Sequence, residues 1–121
     1  MLSQCIALDY GPRGVRANCV CPGWIRTWMA DAEMDALAER RLLDREAAYA
    51  VAVADVPARR PGTAEEVAEV MAWLLSPAAS YVNGALVTVD GGCAVVDVGT
   101  LAFGSQSGSE GESELRDRRA R

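Results

Sequence analysis

The sequence predicts an α/β fold with two short strands and several helices. Val15 to Cys21 alternates between two faces and stops at a Pro-Gly pair, as a short β-strand does. Residues 85–89 form a short apolar run that suits a strand buried on both faces, which is typical of parallel sheets. Between these strands, the segment after Thr63 has the clearest helical pattern of the chain.

The chain opens in a predicted helix. Segment 11–14, Gly-Pro-Arg-Gly, carries the glycine and proline signals that end a helix, and the first strand follows it. The apolar residues before this segment follow helical spacing: Leu2, Cys5, Ile6 and Leu8.

The middle of the chain predicts one or two short, weakly amphipathic helices within residues 30–55. Residues 56–62 carry two prolines and predict a loop. The apolar positions of the helical region are few: Met34, Leu37, Leu42 and Leu43.

The helix after Thr63 has both a start signal and a stop signal. Thr63 and Glu66 have the spacing of a capping box, and Ser76-Pro77 ends the element. We expect its apolar stripe to face the core, although Trp73 also suits a contact between subunits. The stripe consists of Val67, Val70, Met71, Leu74 and Leu75.

The composition changes after Phe103. Residues 104–121 are rich in glycine, serine, glutamate and arginine, with Leu115 as the only large apolar residue. Such a segment buries too little surface to offset its ordering entropy, so we predict a disordered tail after a folded part of residues 1–103.

Charge and hydropathy limit the class of protein. The net charge of -5 argues against a nucleic-acid surface, since phosphate binding needs clustered cations. No apolar run has the length of a membrane span, and the first residues lack the pattern of a signal peptide. We therefore expect a soluble cytoplasmic protein with no membrane or nucleic-acid partner.

The chain contains no histidine and no lysine, so all 12 basic residues are arginines. Arginine stays protonated and is no ordinary general base. Histidine triads, histidine metal sites and Schiff-base lysines are therefore excluded within this chain.

Four cysteines are present, and none has the C-x-x-C spacing of a zinc or redox site. Cys19 and Cys21 share one face of the first predicted strand. They are either a redox or metal pair or, as we favour, small buried thiols of a cytoplasmic protein, and we predict no metal site.

Three motifs in order resemble those of one enzyme family. Residues 7–27 read A-L-D-Y-G-P-R-G-V-R-A-N-C-V-C-P-G-W-I-R-T, residues 60–68 read R-P-G-T-A-E-E-V-A, and residues 84–92 end in V-D-G-G. Their order and spacing are similar to the carboxy-terminal half of the short-chain dehydrogenases/reductases. The resemblance implies the C-terminal part of a Rossmann-type doubly wound parallel sheet, here truncated.

The resemblance also implies a nicotinamide cofactor, NAD or NADP, beyond the end of the first strand. Pro22 fixes the backbone there, and Gly23 allows a close approach to the ring. In the family pattern the backbone at Ile25 and the hydroxyl of Thr27 hydrogen-bond the nicotinamide carboxamide. In an open parallel sheet, this is also the edge where ligands bind.

Residues 28–56 correspond to the mobile flap that covers the substrate in this family. Trp24, Trp28 and Met29 are candidates for an apolar substrate pocket, and ordinary loop packing explains them equally well. Arg26 is interpreted as a solvated side chain. The implied substrate is an alcohol or carbonyl compound, as for a 3-oxoacyl reductase or a related enzyme.

The family's other functional motifs do not occur in this sequence. There is no T-G-x-x-x-G-x-G turn, and no tyrosine is followed by a lysine four residues later, so we assign no catalytic residue. We expect the chain to begin inside a helix of the family fold, as a truncated gene or a late start codon would produce. A fragment that lacks neighbouring strands is expected to be poorly soluble or molten.

Two functions remain open from the sequence, beside the plain alternative of a small α/β binding protein unrelated to the family. The first is a fragment of an NAD(P)-dependent oxidoreductase that is inactive alone. The second is a non-catalytic interaction module that pairs with a full-length relative. The family resemblance implies a homo-oligomer interface through helix 64–75 and strand 85–89.

Overall fold

The computed structural model, which describes residues 1–99 and residue 101, consists of helices and short strands joined by turns. The helices are α1 (Leu2–Tyr10), α2 (Trp28–Arg41), α3 (Arg45–Ala52) and α4 (Ala64–Leu75). The strands are β1 (Cys19–Pro22), β2 (Ile25–Arg26), β3 (Gly62–Thr63) and β4 (Leu86–Val89). The predicted tail, residues 104–121, lies outside the described residues.

The predicted parallel sheet is present in the pairing of β1 with β4. Cys19 lies opposite Leu86, and Pro22 lies opposite Val89. A second parallel pair, β2 with β3, places Ile25 opposite Gly62. The second pair was not predicted, because two residues are too few to show an alternating pattern.

The first strand is shorter than predicted, since it begins at Cys19 and not at Val15. Side chains replace ladder hydrogen bonds before that point. The amide of Ala17 donates to Asn83 Oδ1 at 2.8 Å, and the amide of Ala85 donates to Asn18 Oδ1 at 2.9 Å. These contacts still bring the two chain segments side by side.

The capping box of α4 is confirmed. The Glu66 amide donates to Thr63 Oγ1 at 3.2 Å, and the Thr63 amide donates to Glu66 Oε2 at 2.9 Å. Arg60 also donates to the Glu66 carboxylate, at 2.6 and 2.9 Å. The Arg60 guanidinium, and after it the Thr63 amide, lower the pKa of Glu66 to about 2.

The prediction that the apolar stripe of α4 faces a core is largely wrong. Leu74 is buried, whereas Met71 is exposed and Leu75 is 81% exposed. The prediction that β4 is buried on both faces is also wrong, since Leu86 is 61% exposed. In the described part of the chain this sheet has two strands, too few to cover a helix face.

The main cluster of buried residues lies between α2 and α3, where the sequence pattern is weak. Small side chains let these helices approach closely around Tyr49, which is 1% exposed. Leu42 and Leu43 are exposed, and Leu42 ends α2 with a left-handed backbone (φ 56°). The cluster contains Ala30, Met34, Ala38, Ala48 and Tyr49.

Candidate functional site

An open cleft of about 440 Å³ lies beyond the carboxyl end of β1, where the sequence predicts the cofactor. It brings together all four predicted cofactor residues and two of the three predicted pocket residues. Trp28 does not line it and is 81% exposed. The lining consists of Pro22, Gly23, Trp24, Ile25, Thr27, Met29, Ala30, Glu33, Ala64 and Val67.

Gly23 lies where two chain segments nearly touch. Its amide donates to the Val89 carbonyl at 3.0 Å, and a Cβ on this residue would lie 2.7 Å from the Cα of Asp90. Real Cβ atoms do not approach other carbon atoms so closely. The packing against Asp90 therefore requires glycine here, in addition to any approach of a cofactor ring.

Thr27 begins the helix that forms one wall of the cleft. It is the N-cap of α2, and its Oγ1 accepts a hydrogen bond from the Ala30 amide at 3.2 Å. A hydroxyl can accept and donate at once, so the Thr27 hydrogen can still donate to a carbonyl oxygen. One side chain thus caps the helix and offers a donor to the cleft.

Ile25 has its backbone hydrogen-bonding groups directed away from β3. In a parallel ladder, a residue that bonds across the ladder does so to the two neighbours of the residue opposite it. The opposite residue itself makes no hydrogen bond to that strand. Gly62 donates to the Trp24 carbonyl at 2.9 Å, and Ile25 is the residue opposite Gly62. The Ile25 backbone therefore makes no bond to β3, and its use by a ligand stays a prediction.

Arg26 is not simply solvated, so that interpretation was wrong. Its two terminal nitrogens donate to the two Glu46 oxygens at 2.7 and 2.8 Å. Its guanidinium carbon lies 4.3 Å from the centre of the Tyr49 ring. The hydrogen bond with Glu46 is the main cause that raises the Arg26 pKa further. Arg26 therefore ties β2, beside the cleft, to α3.

Tyr49 and Asp31 form a contact that the sequence analysis missed. The Tyr49 hydroxyl donates to Asp31 Oδ1 at 2.8 Å. Burial, and after it this hydrogen bond, raise the Tyr49 pKa to about 12. Tyr49 thus stays protonated near neutral pH and serves as a packing and hydrogen-bonding group. The only signal in the sequence was a tyrosine within an alanine-rich segment.

Arg16 links β1 to the end of α4, which was also missed. Its Nη2 donates to the Leu74 carbonyl at 2.7 Å, and its Nη1 donates to the Val82 carbonyl at 3.2 Å. Asn18 Nδ2 adds a bond to the same Val82 carbonyl at 3.0 Å. Carbonyls at a helix end need such donors, and asparagine at a strand end was the available signal.

Asp90 orders the turn that borders Gly23. Its carboxylate accepts from the Gly92 amide at 2.9 Å and from the Ala94 amide at 2.7 Å, and these bonds lower its pKa, the Ala94 bond most strongly. Gly91 has a φ of 63°, and its carbonyl accepts from the Ala58 amide at 3.0 Å. The Asp-Gly-Gly turn thus fixes the loop that precedes β3.

The cysteine pair is close, as its spacing on one strand face predicts. The sulfur atoms of Cys19 and Cys21 are 3.8 Å apart, and both residues are half-buried. The hydrogen bond with Cys19 raises the pKa of the Cys21 thiol, with burial as the second cause. Among residues 1–99 and 101, no three His, Cys, Asp or Glu side chains are grouped to hold a metal ion.

No described helix is both long enough and apolar enough to cross a lipid bilayer.

Comparison with known proteins places residues 1–94 in a family model described as Enoyl-(Acyl carrier protein) reductase. The chain is 49% identical over 102 residues to Protein MoaE of Klebsiella aerogenes, covering 84% of this chain and 40% of that protein. It is 41% identical over 90 residues to cyclohexanol dehydrogenase of Rhodococcus sp. (strain TK6), covering 74% and 30%. The chain thus spans well under half the length of these relatives.

Solved structures show the same relationship. Levodione reductase superposes with a TM-score of 0.69 at 36% identity, covering 79% of this chain and 36% of that one. L-sorbose reductase from Gluconobacter frateurii, complexed with NADPH and L-sorbose, gives a TM-score of 0.72 at 28% identity, covering 76% and 35%. Together with the motifs and the parallel α/β fold, these matches show that the chain belongs to the short-chain dehydrogenase/reductase family and corresponds to part of its Rossmann fold.

Proposed function

We propose that this chain forms the nicotinamide side of an NAD(P)-dependent oxidoreductase that acts on an alcohol or carbonyl substrate. The observation that carries the proposal is the cleft beyond β1, where Pro22, Gly23, Ile25 and Thr27 meet. Ligands of open parallel sheets bind at this edge. The names of cyclohexanol dehydrogenase and L-sorbose reductase support an alcohol or carbonyl substrate, as for a 3-oxoacyl reductase or a related enzyme.

The cleft fits the carboxamide end of a nicotinamide ring. Thr27 offers a hydroxyl hydrogen, and the Ile25 backbone offers groups that β3 does not use. Trp24 and Met29 supply an apolar wall that would exclude water from a substrate. When bound, the cofactor supplies the hydride chemistry, while these residues position its ring. Trp28 lies outside this wall, and its place in a substrate pocket remains a prediction.

We propose that the 121-residue chain transfers no hydride by itself. The family pattern needs a lysine that lowers a tyrosine pKa, and this sequence has no lysine. Tyr49, in addition, has its pKa raised by burial and is held by Asp31. Nothing in the sequence resembles the glycine-rich turn for the dinucleotide phosphates, so binding through the nicotinamide end is expected to be weak.

Saturation-transfer NMR with reduced NAD(P) tests the proposed contact, since it detects weak binding. We expect transfer to the nicotinamide protons in the wild type and in Thr27→Ser, which keeps the hydroxyl. Thr27→Asp retains an acceptor for the Ala30 amide but loses the hydroxyl donor, so the signal should disappear without loss of the helix cap. Equal signals in both variants would contradict the role of Thr27. Reduction of a ketone by the purified chain would contradict the proposal that the chain is inactive by itself.

We further propose, as a second function, that α4 and β4 form a surface that pairs with another subunit. Four apolar residues on these elements are exposed, and Trp73 is 45% exposed. Exposed apolar side chains on both elements support a contact with another subunit through α4 and β4. The residues are Met71, Trp73, Leu75 and Leu86.

Co-expression with a full-length short-chain dehydrogenase, followed by size-exclusion chromatography, tests the pairing. Co-migration that is lost in Trp73→Gln/Leu86→Gln is expected if α4 and β4 carry the contact. Leu42→Gln is the matched control, because Leu42 is 94% exposed and lies at the end of α2. If the wild-type chain forms no complex, the pairing proposal is contradicted and only the proposal of an oxidoreductase fragment remains.

A further inference from the structure

Cys19 and Cys21 project from the same face of β1. Side chains two residues apart in a strand point the same way, and the residue between them points the opposite way. Val20 lines a small cavity together with Met71 and Leu74 of α4. The two thiols therefore lie on the face of the sheet that is turned away from α4, and both are half-buried.

The two thiols already lie in contact. Their sulfur atoms are 3.8 Å apart, within contact distance. Cα atoms two residues apart in a strand are separated by about 6.6 Å, and this lies near the upper end of the range that disulfides span. The Cβ atoms of such a pair are about equally far apart, whereas a disulfide holds them about 3.5–4.5 Å apart, so closure requires a marked local bend of β1.

The two other cysteines differ from this pair in their surroundings. Cys5 lies on α1 and Cys93 follows the Asp-Gly-Gly turn, and both are exposed free thiols. The close sulfur contact is found between Cys19 and Cys21. This contrast supplies an internal control for any reagent that reacts with exposed thiols regardless of their position.

We propose that Cys19 and Cys21 form a redox modification site that closes reversibly to a disulfide within β1. A hydroperoxide is the oxidant. One thiolate attacks the peroxide, the O–O bond breaks, and a sulfenic acid and an alcohol or water form. The second thiol then attacks the sulfenic sulfur, so that the S–S bond forms and water leaves. The two thiols lose two protons and two electrons, and the peroxide accepts them.

The disulfide is expected to be easily reduced. Closing it bends a strand whose backbone is paired with β4 through the register of Cys19 with Leu86 and Cys21 with Thr88. Strained disulfides have more oxidising potentials and are the labile ones. Since β1 runs directly into the cleft segment at Pro22, the modification would also act next to the proposed cofactor site.

Peptide mapping tests the proposal directly. Trypsin cuts after Arg16 and Arg26, and the peptide between them, residues 17–26, contains Cys19 and Cys21 but neither Cys5 nor Cys93. The folded chain is treated with hydrogen peroxide, remaining thiols are alkylated, and the peptides are weighed. We expect peptide 17–26 to be unalkylated and lighter by two hydrogen atoms, and dithiothreitol before alkylation to restore two alkylated thiols.

Single serine variants separate the pair from the other thiols. Cys5→Ser and Cys93→Ser should leave the lighter peptide unchanged, whereas Cys19→Ser and Cys21→Ser should abolish it. In either of the last two variants, dimedone should trap a sulfenic acid on the remaining thiol. The proposal is overturned if peptide 17–26 remains doubly alkylated while Cys5 or Cys93 is oxidised, or if Cys19 and Cys21 form only disulfides between chains.

Discussion

At the scale of single residues, the exclusive use of arginine shapes the charged contacts of the chain. Arg26, Arg45 and Arg60 each place two nitrogens on the two oxygens of one carboxylate. A planar guanidinium makes this paired contact and an ammonium does not. These pairs are exposed, so they add little to stability, but they orient the elements that surround the cleft.

Tyr49→Phe should destabilise the pair of helices α2 and α3. The variant keeps the buried ring but removes the hydroxyl that donates to Asp31, a charged acceptor, and such a bond contributes about 1–3 kcal/mol. Hydrogen exchange of the α2 and α3 amides would measure the loss. Tyr81→Phe is the control, because Tyr81 is fully exposed and should change nothing.

The same tyrosine also gives the wild type a distinctive alkaline sensitivity. Tyr49 has an ordinary pKa of 10.0 in the unfolded chain and about 12 in the folded chain. Its contribution to the free energy of unfolding is therefore complete below pH 10 and is lost as the pH rises towards 12. No lysine titrates in this range. Protection in α2 and α3 should fall across this window in the wild type and more gently in Tyr49→Phe. Parallel curves would contradict the raised pKa.

Prediction from the sequence succeeded where a contact is local. The Thr63–Glu66 capping box depends on residues three apart, so the pattern itself defines the geometry. The Tyr49–Asp31 contact joins residues 18 apart in two different helices. Arg16 donates to the carbonyl of Leu74, 58 residues away in the sequence. No periodic pattern encodes such contacts, because they exist only after the elements have packed.

At the scale of elements, helices and strands were identified better than their burial. Helix α4 and strand β4 lie close to the predicted ranges, yet their apolar faces are largely exposed. Apolar periodicity shows that a face is suited to burial, but the covering layer must be supplied by other parts of a fold. In contrast, α2 and α3 bury alanines, which carry little signal in a hydrophobic pattern.

The four predicted cofactor residues lie together in the structure, and their role in binding stays a prediction. The end of β1 and the segment after it bring Pro22, Gly23, Ile25 and Thr27 into one cleft because they lie within six residues of chain at a strand end. What the sequence did not show is that Gly23 also packs against Asp90 and that Thr27 also caps α2. These second roles arise from the parallel pairing of β1 with β4 and from the start of the flap helix.

At the scale of the whole molecule, the sheet and the hydrophobic core are in different places. The cluster of buried residues belongs to α2 and α3, within the flap region, residues 28–56. In the described part of the chain, the sheet of β1 and β4 has two strands and contributes no buried residue to that cluster. A parallel sheet is normally covered on both faces, so this uncovered sheet has little support from packing.

The purified chain should therefore unfold without a sharp cooperative transition. The α2–α3 pair has its own packing, and the β1–β4 pair depends on side-chain bonds from Arg16, Asn18 and Asn83, so the two parts should lose structure separately. Calorimetry should show a broad, low-enthalpy transition, and hydrogen exchange should show better protection in α2 and α3 than in β1 and β4. A full-length short-chain dehydrogenase under the same conditions is the control and should melt sharply. A single sharp melt of this chain, with equal protection in both parts, would mean that the two-stranded sheet and the helix pair form one cooperative unit despite their separate packing.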